Sequence, residues 1–292
     1  MKVINALNKN IEKISNINPI NIKTNEFIIS IPHSGIFIPY FVKNNYKIDK
    51  SMLIGTDIFT DKLYNIKNGI IIKTNLNIYI LNMNRFKKGS NKKSLSLSMQ
   101  QDPFHEPSLT TEKILLKEPS LDQKNILMKY YKEYHQLIID NINELKKQHG
   151  YALLFDCHSM NSIGLTNSPD SEKKRPDFTI GTLNKSSANE KIIEYFLKKL
   201  KNETTKFNYS IKIDDPFKGG AITRLYGIPN QNIHTLQIEI KKKLYMDEIL
   251  DVKSNKKIIL NTKKLKIIKK IIENTIVHTS NFVKKLYIKN FD

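Results

Sequence analysis

Apolar positions along this chain follow two rhythms. Short, nearly continuous runs occur at 27–31, 70–72, 78–81 and 151–155, each bounded by polar or turn-forming residues. Runs this short, without alternation, suit strands buried on both faces, as in a parallel sheet. In contrast, Ile126, Leu127, Tyr130, Tyr134, Leu137, Ile138, Ile142 and Leu145 recur every three or four positions. That spacing predicts an amphipathic helix over 123–148, capped by Gly150 and feeding the run at 151–155. Further helices are predicted from about Thr56 or Asp57, over 187–202 and, strongly basic, over 255–287. The stretch 69–81 reads as two adjacent strands, DFTIGTL (177–183) as a short one, and DDPFKGGAITRLYG (214–227) as a glycine loop. HTLQIEI (234–240) alternates, with Leu236, Ile238 and Ile240 on one side and Gln237 and Glu239 on the other. Residues 1–25 read as a short helix or an arm, and 87–122, polar and broken by prolines, as a surface excursion with one short helix. Buried strands alternating with helices predict a largely parallel α/β sheet. One domain over 1–292 is expected, with a motif-bearing core at about 26–250 and a C-terminal helical region over 251–292.

Composition narrows the function. No run approaches the roughly 18 apolar residues of a membrane-spanning helix. The first residues lack a secretory h-region, and Cys157 is the sole cysteine. A cytoplasmic protein without disulfides or membrane contact is expected. The net charge of +20 invites a nucleic-acid reading. However, the lysines are spread along the chain rather than gathered in a stripe, so a non-catalytic basic binding protein is the lesser alternative. Of 48 basic residues, only Arg85, Arg175 and Arg224 are arginines. In a chain that uses Lys almost everywhere, an Arg marks a place where a forked planar donor is useful.

Polar residues gather where the strands end. His33 follows the first run, Asn84 and Arg85 follow the run 78–81, and Asp156 and His158 follow the run 151–155. Ligands of open α/β sheets bind beyond the carboxyl ends of the strands, so these segments can converge. Two histidines and a carboxylate are a ligand set for catalytic zinc. His33 and His158 supply the imidazoles, and Asp57 or Asp61, four apart on the predicted helix, supplies the carboxylate. Asp57 is preferred because it lies nearer the strand ends, and Asp61 suits a surface lysine. Asp156 either orients His158 or caps the turn. Glu239, inside an apolar strand, suits a general base whose pKa burial has raised. Asn84 with Arg85, and Arg224 after Gly219-Gly220, can take substrate carboxylates. Cys157 points away from His158 on an extended segment. His105, His135, His149, His234 and His278 are read as structural, with His135 set apart because its helix leads into the central strand.

The motifs IPHSGIFIP, GTDIFTDKLY, NMNR, YHQLI…DCHSM, RPDFTIGT, PFKGGAITRLYGIP and LQIEIKKKLYMDE occur in one order. In that order they resemble the N-formylglutamate amidohydrolase family from about Ile28 to Glu248. The resemblance implies a three-layer α/β sandwich similar to zinc exopeptidases, of the phosphorylase/hydrolase-like kind. It implies a zinc-dependent hydrolase of a linear amide, and the residues read above agree with it: one Zn2+ per chain on His33, Asp57 in preference to Asp61, and His158, with Glu239 as base. The implied reaction is N-formyl-L-glutamate plus water giving formate and L-glutamate, in histidine degradation. The alternatives are another N-acyl amino acid or a peptidoglycan-type amide. The family pattern implies an acidic residue where Asn82 stands, an SR pair where Asn77-Ile78 stands, and an arginine where lysines follow QIEI.

Overall fold

The computed structural model of the chain describes residues 26–87, 102–104, 113–166, 168, 170–251 and 257–288. Six strands form one sheet: β1 (Phe27–Ile31), β2 (Gly69–Lys73), β3 (Ala152–Met160), β4 (Phe178–Gly181), β5 (Ile211–Ile213) and β6 (Ile233–Lys241). Their order is β2-β1-β3-β6-β4-β5. Every neighbouring pair is parallel except β4 with β6, which is antiparallel. The expected mostly parallel α/β sheet is therefore present.

Alternation along the strands builds the layers. On one face, Ile28, Ile70, Ile72, Ala152 and Leu154 pack with Leu127, Tyr134, Ile138 and Ile142 of helix α3 (Leu121–His149). On the other, Phe27, Ile29, Leu153, Phe155, Leu236 and Ile238 pack with Ile192 and Phe196 of α4 (Glu190–Thr204) and with Ile268, Ile272 and Ile276 of α6 (Thr262–Ile288). Three layers result. Ser120 and Gln123 close a capping box at the start of α3, and Gly150 ends it in the left-handed region. The helix turns slightly from its predicted face: Tyr131 and His135 are buried, while Ile126 is exposed.

Several expectations need correction. β3 does not end at residue 155 but runs through Met160, so the polar cluster lies within the strand. The apolar run 78–81 is a buried turn, not a strand. Asn77 folds it, its Oδ1 accepting from the Tyr79 amide and its carbonyl from Ile80. Asp57 precedes rather than starts a helix. It lies in the turn between two single-turn helices, α1 (Ser51–Ile54) and α2 (Thr60–Leu63), so Asp57 and Asp61 do not share a helical face. The glycine loop contains α5 (Ala221–Tyr226). Before α6, β7 (Met246–Asp247) and β8 (Ile259–Leu260) form a small antiparallel ribbon, so the last helix starts at Thr262. The expectation for residues 1–25 and most of the 87–122 excursion lie outside the described residues. So does His105.

Candidate metal and catalytic site

The sheet face under α3 is apolar along most of β3 and becomes polar towards its carboxyl end. Ala152 and Leu154 are followed on that face by Asp156 and His158, and next to them on β6 lie Gln237 and Glu239. The register sets Asp156 beside Gln237 and His158 beside Glu239. The opposite face stays apolar, and there Cys157 is packed among core side chains. Burial pushes the Cys157 thiol well above its usual pKa.

His33 leaves the end of β1 and meets Asp57, whose amide donates to the His33 carbonyl at 2.9 Å. His33, Asp57 and His158 each offer a ligand atom within 4.8 Å of the others, and they form the sole such cluster among the described residues. The oxygen acceptors place a proton on Nε2 of each ring. Asn82 Oδ1 accepts from the Asn84 backbone amide at 2.8 Å, so it is the oxygen of the side chain. His33 Nε2 lies 2.8 Å from it and therefore donates, leaving Nδ1 to face Asp57 Oδ2 at 3.5 Å. His158 Nε2 donates to Asp156 Oδ1 at 3.0 Å, and its Nδ1 faces the same Asp57 oxygen at 3.1 Å. Both rings are tied by Nε2 and turn Nδ1 towards one carboxylate oxygen. Ser159 Oγ holds the other Asp57 oxygen at 3.1 Å.

Electrostatics follow the geometry. Burial lowers the pKa of His33, with the charge of His158 adding to the effect, so the imidazole stays neutral. Burial alone would raise Asp57, but the His158 and His33 rings that face it outweigh the burial and hold the carboxyl well below the usual range. Burial also opposes a charged His158. Asp156, by charge and hydrogen bond, and Asp57 overcome this and hold it well above its ordinary value. The cluster is a place that favours positive charge. Burial raises Glu239 to about 8, with His158 pulling the other way.

Asp156 is fully buried and joins several segments. Its Oδ2 accepts from Asn84 Nδ2 at 3.2 Å and from Thr223 Oγ1 at 3.1 Å. Asn84 Oδ1 accepts from the Ile222 amide at 2.8 Å. Asn84 thus spends its amide inside the site rather than leaving it free for a ligand. Gly220 donates its amide to Gln237 Oε1 at 2.6 Å, and Gln237 Nε2 donates to Glu239 Oε1 at 3.0 Å. A Cβ on Gly220 would sit 2.3 Å from Asn84 Nδ2, so only glycine permits this approach.

The arginines separate. Arg175 is engaged by Asp170, with Nε at 2.6 Å and Nη2 at 2.8 Å, and lies over the Phe217 ring. Arg85 has no carboxylate partner among the described residues. Its Nη1 donates to the Asn84 carbonyl at 3.1 Å, and burial lowers its pKa. Arg224 Nε is buried without a hydrogen-bond partner, one residue after Thr223. Asp61 pairs with Lys73 at 3.7 Å and stays out of the cluster. Sequence reasoning missed Asn82, Gln237, Thr223 and Ser159. It also missed Lys242, whose buried Nζ donates to the Ile54 carbonyl, just ahead of the Asp57 turn, at 2.8 Å.

Fold and cluster together define an α/β protein with a buried two-histidine, one-carboxylate site at the carboxyl end of its sheet. Residues 25–246 match the model of the family described as N-formylglutamate amidohydrolase, and the chain belongs to that family. N-formylglutamate deformylase of Pseudomonas putida is 30% identical over 229 residues, covering 76% of this chain and 82% of the relative. The protein of the same name from Pseudomonas aeruginosa is 29% identical over the same shares. A crystal structure of N-formylglutamate amidohydrolase from Ralstonia eutropha JMP134 has the same fold. Its TM-score is 0.69 at 17% identity, over 92% of this chain and 97% of that one. A gene product of Agrobacterium tumefaciens is more distant, with a TM-score of 0.54 at 10% identity, over 88% and 90% of the two chains.

Proposed function

We propose that this protein hydrolyses N-formyl-L-glutamate to formate and L-glutamate, as in histidine degradation, with one Zn2+ held by His33, Asp57 and His158. The observation that carries the reading is the convergence of two imidazole Nδ1 atoms on Asp57 Oδ2, with Glu239 on the neighbouring strand. The donor set fits the ion. Ligand atoms about 2.0–2.2 Å from a tetrahedral centre lie about 3.4 Å apart, and the two N···O distances here are 3.5 and 3.1 Å. Each imidazole is oriented through Nε2 by an oxygen acceptor, the arrangement that fixes ligand histidines. Zinc in this place supplies a Lewis acid that acidifies water and polarises an acyl oxygen.

The chain's own groups do the rest. Glu239 takes a proton from the attacking water and returns it to the departing amine nitrogen, a role suited to a buried carboxyl of raised pKa. Its Oε1 accepts from Gln237, which aims the carboxylate. Arg85 and Arg224 take the two carboxylates of the acyl amino acid. An arginine desolvated without an acidic partner is costly, and an anionic ligand relieves that cost. Replacing Glu239 by Gln tests the assignment: zinc content stays near one per chain, and turnover falls by roughly 10²–10⁴. Full turnover in that variant would remove Glu239 from the chemistry.

A further inference from the structure

His135 lies in the middle of α3, buried, and touches none of the proposed zinc ligands. It is nonetheless tied to both segments that carry the arginines proposed to take the substrate. Its Nε2 is 3.0 Å from the Met83 carbonyl, and its Nδ1 is 2.7 Å from Tyr226 Oη. A carbonyl can only accept, so Nε2 carries the proton and Nδ1 accepts from the tyrosine hydroxyl. Burial lowers the pKa of this ring to about 4, which keeps it in the neutral form the two bonds require.

The two partners are not arbitrary core groups. Met83 sits between Asn82, which orients His33, and Asn84, which binds Asp156. One turn earlier on α3, Tyr131 donates its hydroxyl to the Arg85 carbonyl at 2.7 Å. The Tyr131 and His135 rings stand 4.2 Å apart, as expected four residues apart on one helix face. Together they hold the carbonyls on either side of Asn84. Tyr226 ends α5, the short helix that carries Arg224 and whose Ile222 amide and Thr223 hydroxyl also enter the site. One imidazole therefore connects the Arg85 segment to the Arg224 helix. A histidine needed only for packing could be replaced by an apolar side chain, without the cost of burying two ring nitrogens.

We propose that His135, in its Nε2-protonated neutral form, is a positioning residue that sets the spacing between Arg85 and Arg224 and so the fit of the substrate's two carboxylates. The proposal rests on the reading that these arginines receive the substrate. A remote shift of the substrate-holding groups weakens binding while leaving the cluster intact.

The test compares His135→Phe, which keeps ring bulk and removes both bonds, with Tyr226→Phe, which removes one, and His135→Gln, which retains a donor. In His135→Phe and Tyr226→Phe, KM for N-formyl-L-glutamate rises about tenfold, kcat stays within about threefold, and zinc per chain is unchanged. His135→Gln recovers part of the KM. Amide hydrogen exchange over 82–87 and 220–226 becomes about tenfold faster in His135→Phe, and elsewhere stays as in the wild type. Should His135→Phe fail to fold, Tyr226→Phe carries both readouts. Unchanged KM in the folded variants, or loss of zinc together with kcat, overturns the proposal. So does unchanged exchange in both segments. A wild-type protein that releases no formate overturns the proposed substrate instead, and the exchange measurement still decides whether His135 links the segments.

Discussion

Replacing Asp156 by Asn changes one atom and no volume, yet it strikes a residue that two neighbouring segments share with His158, a proposed zinc ligand. Asp156 accepts three side-chain hydrogen bonds: His158 Nε2 at 3.0 Å on Oδ1, with Asn84 Nδ2 at 3.2 Å and Thr223 Oγ1 at 3.1 Å on Oδ2. An amide can offer only one accepting end. If its nitrogen faces His158, two donors meet, and the imidazole must move its proton to Nδ1, the atom turned towards Asp57 and assigned to the proposed zinc. If the nitrogen faces the other way, the bond from Asn84 is lost while the Thr223 hydroxyl must turn round to accept, and the site stays buried around them. Either way one charge-assisted bond to a desolvated group disappears, worth about 1.5–3 kcal/mol. At about 1.4 kcal/mol per decade, zinc affinity falls by roughly 10–150-fold, in line with outer-shell changes at other metal sites. Competition against a chromophoric chelator measures this directly, with circular dichroism to confirm the fold. Zinc affinity within about twofold of wild type in a folded Asp156→Asn protein refutes the argument that this carboxylate orients His158.

Other consequences are as direct. Cys157→Ala leaves formate release within about twofold of wild type, because the thiol is on the apolar face of β3, and lowers stability by about 1–2 kcal/mol; a tenfold loss of turnover at full zinc occupancy would bring the thiol into the reaction. His234, on β6, is pushed down to about 4 by burial, against an ordinary value of 6.5. Between these values the unfolded chain binds the proton and the folded chain does not, so the contribution is complete above about pH 6.5 and is lost as the pH falls towards 4. It is worth up to about 3 kcal/mol. Urea unfolding at pH 7.5 and 4.5 should therefore show a smaller acid destabilisation in His234→Gln than in the wild type, and equal slopes would argue that the ring is already charged when folded.

Much of the frame was legible because strands and helices announce themselves through local pattern. The run Phe27–Ile31 and the periodicity of α3 each matched what formed. The same logic failed at 78–81, where Ile78, Ile80 and Leu81 are buried but an Asn77-centred turn folds them. An apolar run reports burial, and a buried turn and a buried strand share that signal. His33 and His158 stood out because they follow apolar runs, Glu239 because it lies inside one, and Asp57 because it was expected where a helix starts near the strand ends. Their supporting groups did not. Asn82 lies 49 residues from His33, and Thr223 lies 67 from Asp156. No spacing rule links such pairs, which meet only once parallel strands bring their ends together. Asp57, not Asp61, lies in the cluster, but not for the expected reason: it reaches the cluster from a turn that its amide ties to the His33 carbonyl, not from a helix face.

Formate release from N-formyl-L-glutamate, with and without a chelator, is the decisive test of metal-dependent hydrolysis at the His33–Asp57–His158 cluster. The purified protein is expected to release formate, to lose that activity on chelation, and to regain it when zinc is restored. Release that persists after zinc has been stripped, or none from folded, zinc-loaded protein, would contradict that expectation.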